Sequence, residues 1–157
     1  MKSRKRKLIE GILLKDYDKY YRMAVSFVHS EGDAMDIVQT GALRAIDRCG
    51  TLRDEKFAST WIYRIMVNEV YRFLGRSKES PLDEIEEQET EESYGEIELR
   101  QALERLPLRD KVILELRYFE EMKLEEIAKI TEEPISTVKS RLYRSLKKLR
   151  LSFEQED

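Results

Sequence analysis

Apolar residues recur along this chain at steps of three and four, the spacing of one helical face. Leu8, Ile9, Ile12 and Leu13 begin such a stripe, and Tyr17, Tyr20, Tyr21, Ala24, Val25, Phe27 and Val28 continue it. The segment SEGD then predicts a turn, with Ser30 or Asp33 as the cap of the next helix. That helix carries Ile37, Val38, Leu43 and Ile46 as its apolar positions and holds Gly41 inside it, at a cost of ~1 kcal/mol relative to Ala. CGTLRDEK reads as a loop. A long helix rich in aromatic and basic residues, FASTWIYRIMVNEVYRFLGR, follows, with Gly75 as a candidate stop. After residue 96 the pattern resumes with EIELRQALERL. Pro107 then opens a new helix, KLEEIAKIT forms a short one, EEPIS makes a turn, and TVKSRLYRSLKKLR forms the last helix. A short helix, a turn and a basic final helix form a helix-turn-helix arrangement.

The expected fold class is therefore all-α, with two small helical domains. Residues 77–96 divide them: this stretch holds nine acids, one lysine and Pro81, with little apolar material. Self-repulsion of that kind favours an extended, flexible linker. The expected domains are 1–76 and 97–157. About 20 residues of linker span at most ~65–70 Å. The 157 residues carry a net charge of −3, but outside the linker bases outnumber acids by 28 to 23. A basic protein with an acidic insert hints at nucleic-acid binding.

The remaining composition narrows the function classes. No apolar run approaches the ~20 residues that span a bilayer. The basic start, MKSRKRK, lacks the apolar core of a signal peptide. The expected location is the cytoplasm, with no membrane insertion. Cys49 and His29 are the only cysteine and the only histidine. No intrachain disulfide or Cys/His metal cluster is expected, and no catalytic site or cofactor. Cys49 reads as a packing residue and His29 as a surface or helix-end residue.

Two segments carry candidate chemistry. On the final helix, Val138, Leu142, Leu146 and Leu149 make one apolar stripe. The other faces hold Lys139, Arg141, Arg144, Lys147, Lys148 and Arg150, and residues 134–151 contain no acid. Ser136 or Thr137 would cap the helix and leave backbone N–H groups for phosphate. Lys139, Ser140 and Tyr143, with Arg144 beside them, are placed as a recognition helix places its groove-facing residues. A solvated basic face is the plainer alternative. In the long helix, Trp61, Arg64, Asn68 and Arg72 lie near one face. Aromatic and amide groups beside arginines suit unstacked bases, whereas the plainer reading makes Trp61 and Tyr63 core aromatics beneath a charged surface.

Four blocks, in order, resemble the extracytoplasmic-function (ECF) class of RNA polymerase sigma factors. EEIAKITEEPISTVKSRLYRSLKKLR is similar to the helix-turn-helix that reads the minus-thirty-five promoter element, and LERLPLRDKVILELRYFEEM to the helix pair before it. DAMDIVQTGALRAI resembles the helix that docks on core polymerase, and STWIYRIMVNEVYRFLGR the helix that opens and reads the minus-ten element. The resemblance implies that Asn68 cups a base flipped from the non-template strand, with Trp61 and Arg64 along the melting helix. It places Asp36 and Gln39 at docking positions, and Lys139, Ser140, Tyr143 and Arg144 among the minus-thirty-five readers. It also implies core RNA polymerase, promoter DNA and an anti-sigma factor, often membrane-anchored, as partners. Thr40, Gly41 and Ala42 stand where the family usually has an acid and large apolar residues. Glu132 stands where it often has glycine, and a left-handed backbone there would cost ~1 kcal/mol or more. A helix-turn-helix regulator acting on duplex DNA without polymerase is the alternative reading.

Overall fold

A computed structural model describes residues 2–77, 99 and 101–154, which are mainly helical and include no strand. The chain divides into two compact units, Met1–Asp83 and Glu84–Asp157. The expected acidic linker lies outside the described residues, apart from Ser77.

The first unit is built from α1 (Lys2–Val28), α2 (Glu31–Asp47) and α3 (Ala58–Ser77), each packed on the other two. Its core draws Ile9, Leu13, Tyr20 and Met23 from α1, Ile37 and Val38 from α2, and Ile62, Met66 and Val70 from α3, all buried. Tyr20 meets Tyr63 edge to face, with ring centroids 5.5 Å apart, a geometry that sets the positive edge of one ring against the negative face of the other. Burial pushes the Tyr20 hydroxyl well above the ordinary tyrosine range.

Chain reversals in this unit follow from local chemistry. α1 ends at His29, exposed, with φ 54°, whose N–H donates to the Val25 carbonyl at 2.9 Å. Ser30, and not Asp33, caps α2: its Oγ accepts from the Asp33 N–H at 3.2 Å. The expected loop after α2 holds two short 3₁₀ turns, Cys49–Thr51 and Glu55–Phe57, and Cys49 is buried in it. Two expectations are corrected. Gly75 does not end α3, which runs through it to Ser77. Leu43 is not a core position; it is 70% exposed, because Ala34, Ile37, Val38, Gly41 and Ala45 already define the buried face of α2. Gly41 has a packing reason: a Cβ there would collide with the Met66 sulfur of α3. The helix-propensity cost of glycine is offset by close approach of two helices.

The second unit has helical residues 101–104, then α4 (Leu108–Leu114), a π turn (Glu115–Phe119), α5 (Leu124–Thr131) and α6 (Ile135–Glu154). Pro107 precedes the first helical position instead of occupying it; its carbonyl accepts the N–H groups of Asp110 and Lys111, both at 3.0 Å. The π turn replaces the expected straight continuation of α4. The Glu120 N–H reaches back five residues to the Glu115 carbonyl at 3.1 Å, and Glu121 then turns the chain with φ 53°. Tyr118 and Phe119 are left exposed. Val112, Ile113, Leu116, Ile127, Ile130, Val138 and Leu142 form the buried core, and α6 packs on both α4 and α5.

Glu132 separates the helices of the helix-turn-helix at φ 58°, ψ 37°, the left-handed region. The Cβ of an L-residue crowds the following carbonyl there. Glu132→Gly should therefore raise the unfolding free energy of this unit by about 1 kcal/mol, while Glu132→Ala, which keeps the Cβ, should not. Urea unfolding followed by ellipticity checks both.

Candidate nucleic-acid interface

α6 begins earlier than its composition suggests. Its first turn is closed by the Pro134 carbonyl, which accepts from the N–H groups of Thr137 (3.0 Å) and Val138 (3.1 Å). Ser136 and Thr137 are thus inside the first turn and not its caps: with Glu132 left-handed, the chain already turns helical at Ile135. Val138 and Leu142 are buried and Leu146 and Leu149 half-buried, so the expected apolar stripe faces the unit. Ser136, Ser140, Tyr143, Arg144 and Lys147 are exposed on the opposite side, one helical face. Lys139 and Lys148, also exposed, flank that face on either side.

Arg141 departs from this arrangement. It lies at the edge of the apolar stripe, and its guanidinium turns inward: Nε donates to Glu133 Oε2 at 2.8 Å and a terminal nitrogen to Asp110 Oδ1 at 3.1 Å. The Asp110 side chain is fully buried. Donating to the Glu133 and Asp110 carboxylates pushes the Arg141 pKa further up, so the group stays charged. A carboxylate taken out of water requires such a partner. Arg141 is therefore a strut binding α4, the turn and α6 together. Arg144 leans the same way, 3.6 Å from Asp110 Oδ2, yet remains 54% exposed.

On α3 the core takes Tyr63 and leaves Trp61 half-buried, which divides the two aromatics that composition alone treats alike. Trp61, Arg64 and Asn68 are half-buried and Arg72 is exposed along one side of the helix. Arg72 donates to Glu69 Oε1 at 2.7 Å, and Arg44 of α2 meets the same oxygen. Asp36 and Gln39 are exposed on α2, with Leu43 continuing their side at the next helical step. Sequence reasoning put Leu43 among the apolar positions of α2 and did not single out Glu69. The four-residue step from Gln39 to Leu43 was visible, but only burial of the opposite face shows that Leu43 points outward.

Among the described residues no helix is long and apolar enough to cross a membrane, and no group of three or more His, Cys, Asp or Glu side chains could hold a metal ion.

Comparison with known proteins gives these two surfaces a context. The family model for sigma-70 region 2 matches residues 13–79, and that for sigma-70 region 4 matches residues 96–149. RNA polymerase sigma factor SigV of Bacillus subtilis is 41% identical over 143 residues, covering 88% of this chain and 86% of that protein. RNA polymerase sigma-H factor of Pseudomonas aeruginosa is 30% identical over 154 residues, covering 85% of this chain and 80% of the other. Among solved structures, the sigma factor RpoE in complex with the anti-sigma factor NepR from Bartonella quintana shares the fold with a TM-score of 0.70, at 21% identity, covering 92% of this chain and 96% of that one. A chain whose described residues are mainly helical and whose two units match regions 2 and 4 in order, with relatives this similar over most of their length, belongs to the ECF class of sigma-70-type RNA polymerase sigma factors.

Proposed function

We propose that the two units divide promoter recognition between melted and duplex DNA. The observation that carries this reading is that one chain presents two surfaces of different chemistry, one partly and one largely exposed. On α3, an aromatic, an amide and two arginines stand in a row that the core does not take up. On α6, the exposed side is basic and hydroxylic and holds no acid through residue 150. Stacking surfaces beside cations suit single strands, whose bases expose their π faces. A cationic helix suits a major groove lined by phosphate. In this scheme residues 1–76 dock on core polymerase and read the minus-ten element, residues 97–157 read the minus-thirty-five element, and residues 77–96 tether the two. Asp36, Gln39 and Leu43 form the docking face. Trp61, Arg64, Asn68 and Arg72 meet the separated strand, and Asn68 holds a flipped base.

Ser136, Thr137, Lys139, Ser140, Tyr143, Arg144, Lys147 and Lys148 meet the duplex, with Arg141 removed from this group by its inward ion pairs. The chain performs no chemistry of its own; polymerase supplies the active site. It works in the cytoplasm, and an anti-sigma factor controls its availability, as one binds the sigma factor RpoE of Bartonella quintana.

Footprinting with and without core polymerase tests the scheme. Protection of both promoter elements that requires core supports it. Full site-specific protection by the chain alone would instead establish a duplex-binding regulator.

Within α6 the division between readers and anchors has its own signature. Lys139→Ala should relax preference at particular minus-thirty-five bases by about 1–3 kcal/mol. Lys148→Ala should weaken every promoter alike and reduce the slope of log affinity against log salt by about 0.9, the equivalent of one duplex phosphate contact. Binding isotherms on point-mutated promoters at several salt concentrations measure both. Equal losses on every promoter from the two variants would contradict the division.

A further inference from the structure

Glu69 sits between Asn68 and the turn that carries Arg72, yet it faces the other way. It is 6% exposed, between half-buried Asn68 and buried Val70. One of its oxygens, Oε1, accepts from Arg72 at 2.7 Å and pairs with Arg44 Nε at 2.5 Å. Arg44 belongs to α2, so the carboxylate spans the α2–α3 crossing. That crossing is tight: Gly41, one turn before Arg44, lies against Met66, one turn before Glu69. The carboxylate is thus held in place by packing as well as by charge. Arg72, with 43% of its side chain exposed, reaches from this fixed point toward solvent.

An arginine tied in this way differs from one on a mobile stem. A guanidinium offers five donors in a rigid fork, and anchoring one nitrogen fixes where the others point. The neighbouring carboxylate also offsets its charge, which weakens its pull on phosphate wherever phosphate lies. We propose that Glu69 is a positioning residue for the strand-reading face: it holds Arg72 in one orientation and offsets its charge, so that Arg72 adds more to selectivity than to general affinity for single strands. The proposal rests on the reading of α3 as the single-strand surface.

The test uses holoenzyme assembled from the full chain and bacterial core polymerase. It is titrated with short fluorescent single-stranded DNA of random sequence at several salt concentrations, and the bound fraction is sequenced. Glu69→Gln keeps the shape and an acceptor oxygen but removes the charge. Its affinity for the random pool should rise severalfold at low salt, with the log–log salt slope steeper by about 0.7, the value of one added single-strand phosphate contact. Its sequence enrichment should flatten. Arg72→Gln should abolish the gain, and the double variant should match Arg72→Gln alone.

A merely structural role for Glu69 would lower affinity and helicity together and leave the slope unchanged; an unchanged slope and enrichment in folded Glu69→Gln overturns the proposal, as does a gain that persists in the double variant. If Glu69→Gln does not fold, Arg44→Gln replaces it: Glu69 then serves Arg72 alone, the slope should become shallower, and an unchanged slope is the overturning result. A wild-type holoenzyme that enriches no sequence over core polymerase overturns the reading of α3 itself, and this proposal with it.

Discussion

Holoenzyme carrying Asn68→Ala should form open complexes roughly ten- to a hundredfold less readily than wild type, while its affinity for core polymerase is unchanged. An amide that hydrogen-bonds a base edge supplies about 1–3 kcal/mol of discrimination, and a flipped base has given up stacking that the protein must replace. Asn68 is half-buried one turn from Arg64 and from Arg72, on a helix whose opposite side is anchored by Ile62, Met66 and Val70. The side chain is therefore held on a rigid element, and its truncation removes a contact without opening the core. Permanganate reactivity of thymines in the melted region reports open complexes directly, and a pull-down with core polymerase supplies the control. A variant that melts promoters as well as wild type does would remove Asn68 from the site.

A second large effect falls on stability. Arg141→Met should destabilise the second unit by about 3 kcal/mol, because the buried Asp110 carboxylate would lose its nearest cation, and broken buried pairs cost about 3–5 kcal/mol. Methionine preserves much of the apolar stem, so the loss isolates the charge. Arg144, 3.6 Å from the other Asp110 oxygen, compensates only in part, since it is mostly in solvent. Adding Asp110→Asn should recover much of the loss, since no stranded carboxylate remains at the site; pairs that share a network are not additive. The single tryptophan, Trp61, lies in the first unit. Its fluorescence should unfold at the wild-type urea concentration, while the ellipticity of the second unit is lost earlier. Coincident, unshifted transitions would contradict the role given to Arg141.

These two residues show what could be read from the chain and what could not. The helices were legible because burial imposes a period: Ile9 and Leu13, Ile37 and Val38, Val138 and Leu142 all fall where the pattern puts the core. The partly exposed row on α3 and the basic side of α6 follow from the same periodicity. The π turn at Glu115–Phe119 was not legible, because a reach of five residues leaves no mark in the apolar spacing. The direction of Arg141 was hidden for a different reason. An arginine at the margin of an apolar stripe can face either way, and the choice was made by Asp110, 31 residues earlier. Gly41 looked like a weakness in α2 until Met66 appeared opposite it. Glu132 was the converse case: the family resemblance marked it as standing where glycine is common, and the left-handed backbone explains why glycine would suit that place.

Run-off transcription with core polymerase on genomic fragments tests the central claim most directly. Core polymerase alone should give no specific transcripts. Addition of the full chain should give a small set of discrete run-off products whose start points lie downstream of a shared pair of sequence elements. Products that need the chain but vanish with Asn68→Ala would fit the account at the level of a single residue. Failure of the chain to direct core polymerase to any start point, under conditions where a known sigma factor does so, would contradict it.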